Sequence, residues 1–190
     1  MEQRSLKETT KKIKFCSFSP GRAIESETST KWLSGSNFLQ DNVVSGSTTE
    51  AFCVPDSDLL IRSGDIIIKR IAPTFVNFID SIQDETYAGN NLIIVTPKEG
   101  IYPKYLAMVL NENILSISEE SSIGAVIRSV SRKNLEALKI SLLPYEKQQV
   151  IGDLWFDGIE LKKLKMRLTE LENTEHNNRL KRYIKTFGGR

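Results

Sequence analysis

Leu143–Glu172 reads LPYEKQQVIGDLWFDGIELKKLKMRLTELE. Pro144 sits where an apolar stretch ends and a helical pattern begins, a position that suits the first turn of a helix. From there Val150, Leu154, Asp157, Leu161, Leu164, Leu168 and Leu171 recur at alternating spacings of four and three. Asp157 is the only polar member. This spacing is the seam of a coiled coil, so the stripe calls for a partner helix. Glu160, Lys162, Lys163, Lys165, Arg167, Glu170 and Glu172 fill the flanks, as a solvated face requires. At about 1.5 Å per residue, residues 146–172 span roughly 40 Å. After Glu172 come Asn173, Thr174, His176, Asn177 and Asn178, all weak helix formers, and the pattern is expected to break there. Leu180, Tyr183, Ile184 and Phe187 permit a short amphipathic turn beyond the break.

The remaining residues are enough for one domain of about 140 residues. The chain has 190 residues, 39% of them apolar, with a mean hydropathy of −0.27. No apolar run approaches a membrane span. The opening MEQRSLKETTKKIK has no apolar signal core, so the cytoplasm is the expected compartment. Cys16 and Cys53 lack metal-ligand spacing and His176 is the single histidine, so two reduced thiols and no metal are expected. Net charge is +2, unevenly spread: residues 1–143 hold 16 basic against 17 acidic residues, and residues 144–190 hold 10 against 7. Composition alone therefore does not point to nucleic acid.

Before the helix the pattern is mixed. KIKFCSF, at 12–18, suits a strand closed by Ser19-Pro20-Gly21. Residues 22–50 are polar and read as a long loop or a set of short irregular elements, with an apolar island at Trp32-Leu33 and Phe38-Leu39. Trp32 reads as core or as part of a binding face, with core preferred. DLLIRSGDIIIKRI, at 58–71, reads as strand, turn, strand, with Ser63-Gly64-Asp65 as the turn. The run Ile66-Ile67-Ile68 fits a strand buried on both faces. TFVNFI, at 74–79, and LIIVTP, at 92–97, follow as strands, and Pro103 opens a helix with Leu106, Val109 and Leu110 on one face. Ser131 caps a short helix through Leu138, and KISLLP is the last strand. The fold expected is α+β: a mixed domain of several short strands over 1–143, then a long C-terminal coiled-coil helix and polar tail over 144–190.

Catalytic motifs are absent. There is no glycine-rich phosphate loop and no GxSxG elbow. One histidine in a polar tail cannot serve a nucleophile. Asp56, Asp65 and Lys69 suggest a metal nuclease, but three residues separate Asp65 from Lys69 where the motif needs one. Glu160-Leu161-Lys162 has the right spacing but lies on the coiled coil. No Asn-Pro-Pro-aromatic or Asp-Pro-Pro-aromatic tetrapeptide marks an amino-methyltransferase.

Four stretches in order, GDIIIKR, NNLIIVTP, PKYLAMVLN and SIGAVIRSVSRKNLEALKISLLPYEKQQVIGDLW, give the chain a family resemblance. It resembles the specificity subunit of type I restriction–modification systems. The last stretch is the most specific, through Ser122, Gly124, Ser131, Leu135, Ile140, Leu142, Pro144, Glu146, Gln148 and Ile151. The resemblance is weak over 1–57 and good over 58–172. It implies a target-recognition domain that reads one half of a bipartite double-stranded DNA site. It also implies a helix that spaces the halves and docks methyltransferase (modification) subunits, with a restriction subunit in the full complex. Catalysis and S-adenosylmethionine would belong to those partners, so no cofactor and no enzyme activity are expected here. The usual subunit has two recognition domains and two helices; this chain has one of each. A homodimer through the C-terminal helix is the expected remedy, with no membrane partner.

Under that reading phosphate contacts fall to Lys12, Lys14, Arg22, Lys31, Lys69, Arg70, Arg128, Arg132 and Lys133. Residues able to present bidentate groups to base edges are Asn37, Gln40, Asn90, Asn91 and Arg128. Lys69-Arg70 and Arg128/Arg132/Lys133 stand out because they cluster. An antiparallel pair of helices would bring Asp157 near a partner lysine such as Lys162 or Lys165. A structural coiled-coil adaptor that binds protein is the competing class, favoured by the near-neutral charge of 1–143. Cations gathered on one concave face of residues 1–143 support DNA; scattered cations support the adaptor.

Overall fold

A computed structural model describes residues 2–18, 25–39, 43–44, 48–121 and 128–187. Arg22, Gln40, Ser122 and Gly124 lie outside them, as does the side chain of Asn37. The chain divides into two compact units, Met1–Phe156 and Asp157–Arg190. The first three turns of the last helix fall within the first unit, where Gln148, Gly152 and Phe156 are buried.

The first unit is built on a four-stranded antiparallel sheet of β2 (Thr10–Phe15), β10 (Leu92–Pro97), β7 (Ile66–Lys69) and β8 (Val76–Phe78), in that order. The isoleucine run is explained by burial on both faces. Ile66, Ile68, Ile93 and Val95 meet Leu106, Leu110 and Ile114 of α2 (Pro103–Glu120) on one side. Ile67, Leu92 and Ile94 meet Trp32, Leu59, Ile61 and Tyr87 on the other. Trp32 is core, 1% exposed. Cys16 and Cys53 are buried free thiols, and burial pushes Cys16 up to about 12.

A second sheet runs β6 (Thr49–Cys53), β3 (Glu25–Leu33), β9 (Thr86–Ala88), with β3 parallel to β9. β3 occupies the stretch expected to be loop. Its Ser and Thr residues hide the strand from a hydrophobic pattern, while Trp32 and Leu33 bury its end. Gly89 has no room for a side chain: its N–H donates to Leu33 O at 2.6 Å. A Cβ there would lie 2.8 Å from the same oxygen. Residues 57–59 form a 3-10 turn rather than the first strand expected over 58–71.

The chain opens with β1 (Glu2–Ser5) and α1 (Leu6–Thr9), which the pattern did not reveal. β1 pairs antiparallel with β11 (Lys139–Leu142), which follows α3 (Arg132–Ala137). Ser131 caps α3 by accepting from Asn134 N, as expected. The last helix, α4, runs Tyr145–Phe187. Its start packs on α2: Gln148 accepts from Tyr102 N at 2.9 Å and donates to Leu143 O at 2.8 Å. Asp153 accepts from the Tyr102 hydroxyl at 2.7 Å and from Lys104 at 3.0 Å.

In the second unit the helix continues through Asn173–Asn178 without a break, correcting the expectation of a tail after Glu172. The weak helix formers there cost only tenths of a kcal/mol each. Glu175–Arg179 is an i,i+4 ion pair, and Thr174 and Thr186 donate to carbonyls one turn back. Tyr183 stacks on Phe187, ring centroids 6.2 Å apart.

Candidate nucleic-acid interface

One end of the four-stranded sheet collects the cations that cluster in sequence. Three strand ends meet there by register: Ile93 pairs with Phe15, and Leu92 with Lys69. Arg70 follows directly, its N–H donating to Asn91 O at 2.8 Å. The segment at 128–130 then runs against 70–72. Val130 N donates to Arg70 O at 3.0 Å and Ala72 N to Arg128 O at 3.0 Å, with Ile71 and Ser129 bridged between them. This short antiparallel ladder brings the segments that carry the two sequence clusters, Lys69-Arg70 and Arg128/Arg132/Lys133, side by side.

Side-chain contacts fix the cations. The Arg70 guanidinium lies 5.6 Å from the Phe15 ring centre, and that of Arg132 lies 4.5 Å from the same ring. Arg70 Nε also donates to Val130 O at 3.4 Å, and Arg132 to Ile13 O at 3.4 Å. Lys69 Nζ sits 5.4 Å over the Phe75 ring. Arg128 and Arg132 carry ion pairs, to Glu119 at 3.1 Å and Glu136 at 3.0 Å. Both arginines are more than half exposed, so these pairs are weak and exchangeable. Among the described residues, Lys69, Arg70 and Lys133 have no carboxylate within ion-pair distance.

The Asn90-Asn91 turn is part of the same end. Asn91 has a left-handed backbone, φ 65°, which asparagine tolerates better than most residues. A Cβ added at Gly35 would lie 3.5 Å from Asn91 Cβ and 3.7 Å from Lys69 Cγ. The Gly35–Asn37 turn, next to Ser34 and Ser36 whose hydroxyls bond each other at 2.7 Å, therefore borders the cations. Asn91 is first a turn residue; Asn90 is exposed at its tip.

Other expected phosphate contacts are elsewhere and already engaged. Lys14 is bonded to Asp56 and Asp58, each at 3.2 Å, and Lys12 donates to Asp58 O at 2.7 Å. Lys31 pairs with Asp84 at 2.8 Å. The N–H of Asp58 and the Lys14 ammonium hold the Asp56 carboxyl below its usual range. The carboxylates once considered for metal are also spent. Asp65 is buried and accepts from Arg62 N at 2.8 Å and Thr96 Oγ1 at 2.6 Å. Among the described residues no group of acidic, histidine or cysteine side chains could hold a metal.

Sequence reasoning missed Phe15, the residue that both guanidinium groups share. Its partners are far away in the chain, so no local spacing announces it.

Among the described residues nothing covers the seam of α4. Val150, Leu154, Leu161, Leu164, Leu168 and Leu171 are each at least half exposed, from 52% to 73%. Among the described residues no helix is long and apolar enough to cross a membrane.

Comparison with known proteins names this architecture. Residues 2–182 match the model of the type I restriction modification DNA specificity domain. No curated protein matches the sequence. Among solved structures, the HsdS subunit from Thermoanaerobacter tengcongensis aligns with a TM-score of 0.63 and 19% identity, over 96% of this chain and 43% of that one. A chain from work on complex assembly and conformational transition of the type I R-M system gives 0.63 and 20%, over 96% and 44%. The type I restriction-modification S subunit from M. genitalium gives 0.55 and 14%, over 91% and 44%. The chain thus spans under half the length of these solved chains. With the family matched over nearly its whole length, this α+β chain with its long C-terminal helix belongs to the type I restriction modification DNA specificity domains.

Proposed function

We propose that this chain recognises a DNA sequence for a type I restriction–modification complex, reading one half of a two-part site and performing no chemistry itself. The observation that carries this is the gathering of Lys69, Arg70, Arg128 and Arg132 at one sheet end in a member of a DNA-specificity family. Phosphate neutralisation provides affinity, and donors and acceptors at the groove floor provide specificity. Asn90, at the exposed tip of its turn, and Arg128 would offer such groups. The adaptor reading loses its main support, because local clustering overrides a near-neutral total.

Methyl transfer, cleavage and S-adenosylmethionine belong to partner chains in this reading, and the cytoplasm is where such a complex works. A chain that spans under half the length of the solved chains it matches would gain a second recognition domain by pairing about a two-fold axis. The exposed seam of α4 is the surface for that pairing, together with docking of methyltransferase subunits. Antiparallel orientation is favoured by charge. Residues 176–187 carry Arg179, Lys181, Arg182 and Lys185 and no carboxylate, so parallel pairing would set four cations against their own copies. The helix of roughly 40 Å over 146–172 is close to one turn of DNA, about 34–36 Å. The target would then be palindromic, with an unread gap.

The test is alanine replacement in the assembled complex. Lys69→Ala with Arg70→Ala, or Arg128→Ala with Arg132→Ala, should weaken binding to all sequences and lower the salt slope by roughly one per lost phosphate contact. Lys12→Ala with Lys14→Ala should leave it near the parent, because those lysines face Asp56 and Asp58. Equal behaviour of all three pairs would remove the assignment of this face.

A further inference from the structure

We propose that Phe15 is the positioning residue of the DNA face, and that it holds the Arg70 and Arg132 guanidinium groups in place for the phosphate backbone. The inference rests on the DNA reading above and adds to it the element that organises the cations.

The geometry is specific. Phe15 ends β2 and is half-buried, its inner part packed on the main core. Two guanidinium groups from different elements lie over this one ring, at 5.6 Å and 4.5 Å. Guanidinium is planar and weakly hydrated, so it stacks on an aromatic face where an ammonium would stay solvated. Each arginine also gives one N–H to a main-chain carbonyl, Val130 O and Ile13 O, which fixes its tilt. Arg70 has no carboxylate partner among the described residues, and Arg132 has only the half-exposed pair with Glu136.

Two like charges converge on one apolar ring. Their mutual repulsion opposes this arrangement, and the ring quadrupole and the two carbonyls offset it. A phosphate group between or beside the guanidinium groups would relieve that repulsion, and the fork of outward N–H groups suits phosphate oxygens. Because the arginines are held before DNA arrives, less side-chain freedom is lost on binding. Phe15 therefore contributes to affinity without itself needing to touch the duplex.

The experiment uses the full 190-residue chain and a mixed-sequence duplex, since phosphate contacts ignore base sequence. Phe15→Leu keeps an apolar side chain but removes the ring, and should weaken binding about tenfold, the scale of two lost cation–π contacts. Phe15→Tyr keeps the ring and should bind like the parent. In an Arg70→Ala, Arg132→Ala background, Phe15→Leu should cause no further loss. A packing role alone would give the same loss in both backgrounds, and that result would overturn the inference. Circular dichroism confirms folding of each variant. If Phe15→Leu does not fold, Arg70→Lys with Arg132→Lys keeps the ring and both charges. That pair should still lose about tenfold, and parental binding by it would equally overturn the proposal. The two readings fail separately. If the double alanine variant binds like the parent, or the parent does not bind the duplex, the DNA face itself is wrong. If the double alanine weakens binding and Phe15→Leu does not, only the role of Phe15 falls.

Discussion

At Gly152 the start of α4 leaves no room for a side chain against α2. A Cβ there would sit 2.6 Å from Tyr105 N and 3.0 Å from the Lys104 carbonyl carbon, so backbone would have to move. Helix propensity favours Gly152→Ala by about 1 kcal/mol, while overpacking costs about 1–3 kcal/mol. Because the obstacle is main chain, the cost wins, and urea unfolding should show a net loss of roughly 1 kcal/mol or more. The next residue, Asp153, has its pKa lowered, first by the Tyr102 hydroxyl and then by Lys104. A carboxyl whose folded pKa is depressed adds stability above its unfolded value, about 3.9. That stability is lost as pH falls through the lower folded value. Asp153→Asn should therefore destabilise at neutral pH, and the gap to the parent should narrow below about pH 4. A gap independent of pH would mean that the ionised form of Asp153 is not what holds Tyr102 and Lys104. At Cys16, a thiol pushed up to about 12 by burial should resist alkylation in the folded chain at neutral pH. Residue-scale chemistry of this kind was partly legible. Two free thiols and the Ser131 cap follow from residue type and spacing. Gly152 and Phe15 do not, because their neighbours come from distant parts of the chain.

At the scale of elements, strong patterns were read correctly and compensated ones were not. Ile66–Ile68 and Leu92–Val95 announce buried strands because every residue is apolar. β3 carries Thr28, Ser29, Thr30 and Lys31 in sequence, so no alternation marks it; pairing with β6 and β9 makes it a strand. The far end of α4 was missed for a related reason. Its Asn and Thr residues argue for a break, but their propensity costs are only tenths of a kcal/mol each, and the Glu175–Arg179 pair offsets part of them. The seam itself was legible from its spacing. Its exposure to solvent leads to a prediction for the chain in solution. Replacing Leu161, Leu164 and Leu168 together by Asp should yield a monomer with a folded first unit and no specific DNA recognition. Light scattering decides: a dimer that survives the triple change puts the interface elsewhere.

For the whole molecule, the catalytic elimination and the DNA assignment rest on different grounds. The first comes from motifs that are absent and from Asp65, whose oxygens are both engaged inside the fold. The pure chain should accordingly neither cleave nor methylate DNA, and metal-dependent cleavage abolished by Asp65→Ala would contradict this. The second could not be read from net charge, because a cationic face is made by folding: the ladder between 70–72 and 128–130 unites clusters that the sequence keeps apart. Which of the expected contacts remain available was also invisible beforehand, since the Asp58 carbonyl that engages Lys12 and the carboxylates that engage Lys14 and Lys31 approach from other elements. The most direct measurement of the central claim is sequencing of methylated positions in cells that carry this chain with a methyltransferase subunit that co-purifies with it. The account predicts methylation confined to a palindromic two-part sequence with an unread gap, lost when the chain is deleted and weakened by Lys69→Ala with Arg70→Ala. A methylation pattern unchanged by deleting the chain would contradict it.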